Sequence, residues 1–196
     1  MSLNIDTLLA KINELESQLE TELAARQAEL KYRIEQGRIV FDESVTKHQK
    51  QFKEGLRSYL KGVRPMVVIT APIIYAVIIP LLLLDAFVSL YQAVCFPVYG
   101  ITKVQRKDYI IFDRSQLAYL NIIEKVNCGY CSYGNGLIAY VREIVSRTEQ
   151  YWCPIKHAHR LVGAHHRYAN FIDYSDAEAY RTKLEELRGR LKEPPQ

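Results

Sequence analysis

The sequence predicts a mainly α-helical protein built around a membrane-embedded helical segment, and three patterns predict it. Near the N-terminus Ile5, Leu8, Ile12, Leu15 and Leu19 recur at alternating spacings of three and four, the mark of an amphipathic helix with coiled-coil character. Residues 66–101 hold a single charge, Asp85, in an apolar run longer than the roughly 20 residues a helix needs to cross a bilayer. Downstream, apolar positions again return at helical intervals, most clearly at Leu137, Val141, Ile144 and Val145 and at Tyr180, Leu184, Leu187 and Leu191. The chain divides accordingly into N-terminal amphipathic helices (1–64), a membrane segment (65–101), a Cys/His-rich domain (102–175) and a C-terminal helix (176–196).

Whole-chain averages conceal this segregation. Mean hydropathy is −0.14 and the formal net charge is +4. A mild positive charge suits anionic lipid headgroups, whereas nucleic-acid binding needs a concentrated basic face, so no nucleic-acid partner is expected. Residues 2–35 are polar and helix-patterned, without the apolar core of a cleavable signal peptide.

Taken in order, the first helix starts after Ser2 or Asn4 and runs to about Gln36, where Gly37 interrupts it. Its next seam positions are Glu22 and Arg26, so the apolar register decays before a long coiled coil can form. A second helix is expected from about Asp42 to Lys61. There Val45, Phe52, Leu56 and Tyr59 alternate with Lys47, Lys50, Lys53 and Arg57, a basic side fit for a membrane surface or for solvent.

Two readings compete for residues 66–101. In one, Pro80 splits the run into two short helices that enter and leave the bilayer on the same side. Basic residues on both flanks (Lys61 and Arg64, then Lys103, Arg106 and Lys107) favour it, because positive loops stay cytoplasmic. In the other, a single kinked helix starts near Thr70 and Pro72 and ends before Pro97. In both, Asp85, Ser89 and Gln92 share one helical face, a polar stripe that is expected to meet a protein partner, a second copy of the chain, or an ion path.

Beyond Gly100, residues 107–113 read as a short strand or extended linker. Asp113 or Ser115 is expected to cap a helix over 116–126, followed by a turn carrying Cys128 and Cys131, with Gly134 and Gly136 permitting a reversal. A helix over Leu137–Tyr151 follows, then one opening at Cys153 and Pro154, and a last one from Ala177 to Leu191 capped by Asp176.

The cysteines are the main candidate for chemistry. Cys95 lies inside the apolar run and reads as a small buried hydrophobe. Cys128 and Cys131 form a C-x2-C pair, and a helix opening at Pro154 would stack Cys153 and His157 one turn apart. Cys128, Cys131, Cys153 and His157 therefore make up a Cys3His set of the kind zinc favours, with an iron–sulfur cluster as the alternative and His159 as the alternative fourth ligand. The intervening helix strains this scheme, since it holds its two ends roughly 20 Å apart. Ser132 stands where covalent c-type haem needs a histidine, Glu143 and Glu149 lack the di-iron spacing, and no phosphate loop or nucleophile elbow appears. Arg142 with Glu143, and Arg147 with Glu149, are expected as surface ion pairs.

The string C-x-Y-C-x-Y-x-N-G-L-I-A-Y-x-R-E-I, followed by R-T-E-Q-Y-W-C-P-I-K-H-A, resembles a family of uncharacterised bacterial membrane proteins. The likeness extends upstream through TAPIIYAVIIPLLLLDAFVSLYQAVCFPVYGI and downstream through HHRYANFIDYSDAEAYR, over roughly residues 60–185. It implies a bacterial source and membrane attachment; together with the basic flanks of residues 66–101, the expectation is an inner-membrane protein with its soluble parts in the cytoplasm. The expected function is a membrane-anchored, zinc-stabilised interaction or scaffolding protein, bound to the lipid bilayer and to itself or a membrane protein partner. The alternatives are electron transfer through the thiols or a cluster, and oligomeric transport along the Asp85 face.

Overall fold

Pro65 and Gly100 bracket the element on which the rest of the chain packs. In this computed structural model, which describes residues 2–29, 32–35 and 38–192, helices α4 (Pro65–Ala76) and α5 (Ile78–Tyr99) follow one another with only Val77 between them. Pro65 sits in the first turn of α4, where its missing N–H costs nothing. Gly100 closes α5 in the left-handed conformation (φ 68°), with Ile101 N–H on the Phe96 carbonyl at 2.9 Å and Gly100 N–H on that of Pro97 at 3.3 Å, a Schellman stop.

The apolar run is thus one kinked rod, and the same-side hairpin is corrected. Pro80 falls in the first turn of α5, where the lost donor is harmless, and Val77 keeps right-handed helical torsions (φ −60°, ψ −18°). Neither residue reverses the chain. Pro65–Tyr99 is long and apolar enough to cross a membrane by length and composition.

Ahead of the rod lie α1 (Ser2–Glu29), the antiparallel strands β1 (Tyr32–Glu35) and β2 (Arg38–Phe41), α2 (Glu43–Gln51) and α3 (Leu56–Gly62). The first helix is shorter than expected because the chain from Tyr32 to Phe41 pairs with itself, Tyr32 opposite Phe41 and Glu35 opposite Arg38. Gly37 and the Ile5 side chain lie outside the described residues. The helix expected over 42–61 is broken at 52–55, so α2 and α3 are separate. The hairpin and α2 dock onto the chain beyond the rod, through Gln116 Oε1 on Ile39 N–H (2.8 Å) and Gln49 Oε1 on Ala118 N–H (3.3 Å).

After Gly100 the chain doubles back. Residues 100–121 form an extended strap with two short 3₁₀ turns, Arg106–Asp108 and Asp113–Gln116, where a helix over 116–126 had been expected. Helix α6 (Ile122–Trp152) then starts at a full capping box: Asn121 Oδ1 accepts from the Ile123 and Glu124 N–H groups, each at 3.0 Å, and Glu124 returns a bond to Asn121 N–H. It runs unbroken through Cys128, Cys131, Gly134 and Gly136, so the expected turn and reversal are absent.

Contacts in register set α6 parallel to the rod. Tyr130 Oη bonds the Ile74 carbonyl (2.7 Å), Tyr133 Oη bonds Asp85 (2.9 Å), Tyr140 meets Gln92, and the Tyr151 and Trp152 rings pack on Tyr99. Parallel neighbours require a return crossing, and the strap supplies it. Gly136 explains its close fit, since a Cβ there would lie 2.5 Å from the Tyr109 carbonyl oxygen and 2.9 Å from Ile110 Cα. Phe96, Val104, Ile110, Leu137, Ile144 and Leu191 fill the shared core between rod, strap, α6 and the last segment. Each fully buried side chain of this size stabilises by about 1.5–3 kcal/mol.

No helix opens at Pro154. Residues 153–165 are irregular, and Ile155 bridges Ile172 instead. Helix α7 (Ala177–Gly189) starts where expected, with Asp176 accepting from Ala179 N–H (2.9 Å), but the end expected at Leu191 is a 3₁₀ turn, Arg190–Lys192; Leu187 and Leu191 are turned inward.

Candidate functional site

The four expected metal ligands do not come together within the chain. Cys128 and Cys131 are one turn apart in the first half of α6, while Cys153 caps its far end. At 1.5 Å per residue, Cys128 and Cys153 stand about 37 Å apart along the axis. His157 is not stacked one turn beyond Cys153, because the segment is not helical. Its backbone N–H bonds Tyr168 Oη (2.6 Å) and its ring stacks on Tyr168. His159 is exposed in the same irregular stretch. Among the described residues, no group of three or more His, Cys, Asp or Glu side chains is placed to hold a metal ion. Within the chain the expected Cys3His set is not brought together: the expected turn at Cys128 is helix, and helix continuity separates its halves. All four cysteines are free thiols.

The polar stripe on the rod is occupied by the chain itself. Asp85 pairs with the Arg106 guanidinium of the strap and accepts from Tyr133 Oη and Ser89 Oγ. Gln92, 7 % exposed, clasps Val104 and donates to Tyr140 Oη (2.9 Å). The face offered by the sequence to a partner or an ion path is filled by strap and α6.

A second polar cluster sits under the strap. Glu143 Oε1 accepts from Arg147 Nε (2.7 Å) and Arg167 Nη2 (2.8 Å), and all three side chains are largely buried. Arg147 also donates to the Thr102 carbonyl (2.6 Å) and Arg167 to Gln150 (3.3 Å), so the cluster ties strap, α6 and the 165–172 segment together. Burial alone would push the Glu143 carboxyl up, but the hydrogen bonds and charges of Arg167 and Arg147 outweigh it and hold the group below its ordinary value. A cavity of about 340 Å³ opens beside the cluster, lined also by Lys103, Asp108 and Tyr109. His166 also borders the space; four guanidinium donors are used on Glu143, Gln150 and a carbonyl, while Arg167 Nε has no hydrogen-bond partner among the described residues. This arrangement is a staple.

The ion pairing differs from expectation in detail. Arg147 pairs with Glu143, not Glu149, and Glu149 meets His165 Nε2 at 2.8 Å. Arg142 donates to the carbonyls of Gly163 and Ala164. The i to i+4 spacing of Glu143 and Arg147 was visible in the sequence; the arrival of Arg167 from beyond α6 was not.

What remains open is the outer face of the rod. Side chains on one side of α5, at positions 78, 81, 85, 88, 92 and 96, turn toward the protein, whereas Ile79, Leu83, Phe87, Leu90, Val94 and Val98 face outward. Phe87 is 70 % exposed and Val98 76 %. Met66, Val67, Val68, Ile69 and Ile73 extend the exposed apolar surface along α4. Patches of this length are not left bare to water in isolated soluble proteins.

No protein-family model, curated protein or solved structure matches the chain.

Proposed function

We propose that this is a membrane-attached interaction protein: the outward face of the rod binds the lipid bilayer, and α1 provides a surface for assembly. The observation that carries the reading is the apolar stripe Ile79–Leu83–Phe87–Leu90–Val94–Val98, unbroken by charge while the opposite face of the same helix is spent on the protein core. Exposed Lys61, Arg64, Lys103 and Lys107 flank it, which suits anionic headgroups.

The assembly surface rests on α1. Leu8, Ile12, Leu15, Leu19 and Leu23 are each 51–60 % exposed along one side of the helix. A seam of this spacing is buried when two such helices pair. The partner is a second copy of the chain or another helical membrane protein.

Fractionation of bacterial cells expressing the full chain tests the attachment. The protein is expected in the membrane pellet after both high-salt and alkaline washing; recovery in the supernatant after the salt wash alone overturns it.

A further inference from the structure

We infer that the rod does not cross the bilayer but lies in its surface plane, one apolar face down in an anionic leaflet. This rests on the membrane attachment proposed above and specifies its geometry.

The argument comes from what is packed alongside. From Ile74 to Tyr99 the rod is accompanied by α6 on its protein side, in register from Tyr130 to Tyr151. Alongside both runs the strap, beside Gln92 at Val104 and beside Asp85 at Arg106. A rod standing upright across the membrane takes both companions with it. The strap is non-helical backbone carrying exposed Lys103, Arg106, Lys107 and Arg114, and α6 carries exposed Arg142. Hydrocarbon excludes irregular lipid-exposed backbone, because its N–H and C=O groups find no partner there, and it penalises each charge. A flat rod meets neither problem: the charged companions stay on the water side, and the charge-free stripe of α5, continued by the exposed apolar residues of α4, is immersed about 5–10 Å deep as for other interfacial helices.

Charge also separates the bilayer from a second copy as the occupant of this face. Basic groups accompany the stripe, Lys61 and Arg64 just ahead of Pro65 and Lys103, Arg106 and Lys107 on the strap that passes Gln92 and Asp85. Two copies pressed face to face add like charge to like charge, whereas anionic headgroups complement it. The half-exposed Trp152, packed on Tyr99 and Tyr151 at one end of the rod, is the residue type that settles at the headgroup level.

The test is a depth measurement on the full chain. With the four native cysteines replaced, a single cysteine at Ile79, Phe87 or Val98 is labelled with an environment-sensitive fluorophore in phosphatidylcholine–phosphatidylglycerol vesicles. Lipids spin-labelled at shallow and deep acyl positions serve as quenchers. All three sites are expected to be quenched mainly by the shallow label and to the same degree. Deep quenching at Phe87 with shallow quenching at both ends means a crossing and overturns the inference. Floating vesicle-bound protein without quenching at these sites places the lipid contact elsewhere and overturns both the inference and attachment through the rod, while sparing membrane association by another surface. Failure to float, with or without a stable dimer in light scattering, removes attachment itself and the inference with it. The unmutated chain provides a check independent of the substitutions. Lys61 and Lys103 are expected to react with an impermeant amine reagent from the same side of sealed vesicles; labelling from opposite sides contradicts a flat rod.

Discussion

Gln92 grips Val104 by both ends of its carboxamide: Oε1 accepts from the Val104 N–H at 2.7 Å, and Nε2 donates to the Val104 carbonyl at 3.3 Å. The pairing imitates a strand partner and latches the start of the strap to the rod. Gln92→Leu keeps the volume but strands a buried N–H and the Tyr140 hydroxyl. A loss of about 1–3 kcal/mol is expected in chemical denaturation followed by circular dichroism. An unchanged midpoint contradicts the latch.

Gly136 is the clearest steric constraint. In an exposed helix, glycine to alanine raises stability by about 1 kcal/mol. Here the added methyl meets the Tyr109 carbonyl oxygen at 2.5 Å, backbone that cannot swing aside as a side chain would. Gly136→Ala is expected to lower the thermal midpoint; a higher midpoint means that the strap does not lie against α6.

The Glu143 staple sets an acid limit. Because the carboxyl is held below its ordinary 4.5, its contribution is complete above that pH and is lost as pH falls through the lower folded value. Glu143→Gln leaves Arg147 and Arg167 facing one another without their counter-charge, at a cost of about 3 kcal/mol at neutral pH. The variant's stability is also expected to fall less steeply than the parent's as the solution is acidified below pH 4.5. Parallel pH–stability curves for the two proteins rule the staple out.

Dispersed thiols predict independence from metal. Cys128→Ser and Cys153→Ser are each expected to shift stability by no more than about 0.5 kcal/mol, as at ordinary surface positions. A chelator is expected to leave the unfolding transition in place. A chelator-sensitive transition lost in both variants restores a shared site between the two ends of α6.

For α1, Leu15→Ser together with Leu19→Ser removes the centre of the exposed seam. Cross-linking between α1 helices in membranes is expected to fall severalfold while the protein stays attached. Equal cross-linking in parent and variant contradicts assembly through this face.

Much of the helical architecture was legible, and the failures have identifiable causes. The period of Tyr180, Leu184, Leu187 and Leu191 marked α7, and Asp176 marked its cap, because both signals are local. The opposed faces of α5 were equally readable from Asp85, Ser89 and Gln92, but what covers that stripe was not. Its partners, Arg106, Val104, Tyr133 and Tyr140, arrive through a return crossing whose direction no local pattern encodes.

The cysteine site failed for a related reason. Gly134 and Gly136 read as turn residues, since each costs a helix about 1 kcal/mol relative to alanine. At Gly136 that cost is offset by the close approach of the strap, so the helix persists and carries Cys128 away from Cys153. Pro80 misled in the opposite sense: it looked like a breaker, yet it lies in a first turn. The hairpin at Tyr32–Phe41 has only a weak local signal: Tyr32–Glu35 alternates apolar and polar, but Ile39, Val40 and Phe41 form a continuous apolar run directly after a strong helical pattern.

Flotation of the purified full chain with phosphatidylcholine–phosphatidylglycerol vesicles, alongside a Phe87→Glu, Val94→Glu double variant, tests the central claim most directly. The parent is expected to rise with the vesicles and the double variant to remain at the bottom with its helical circular dichroism intact. Equal flotation of the two, or none by the parent, would show that the outward face of the rod does not bind lipid.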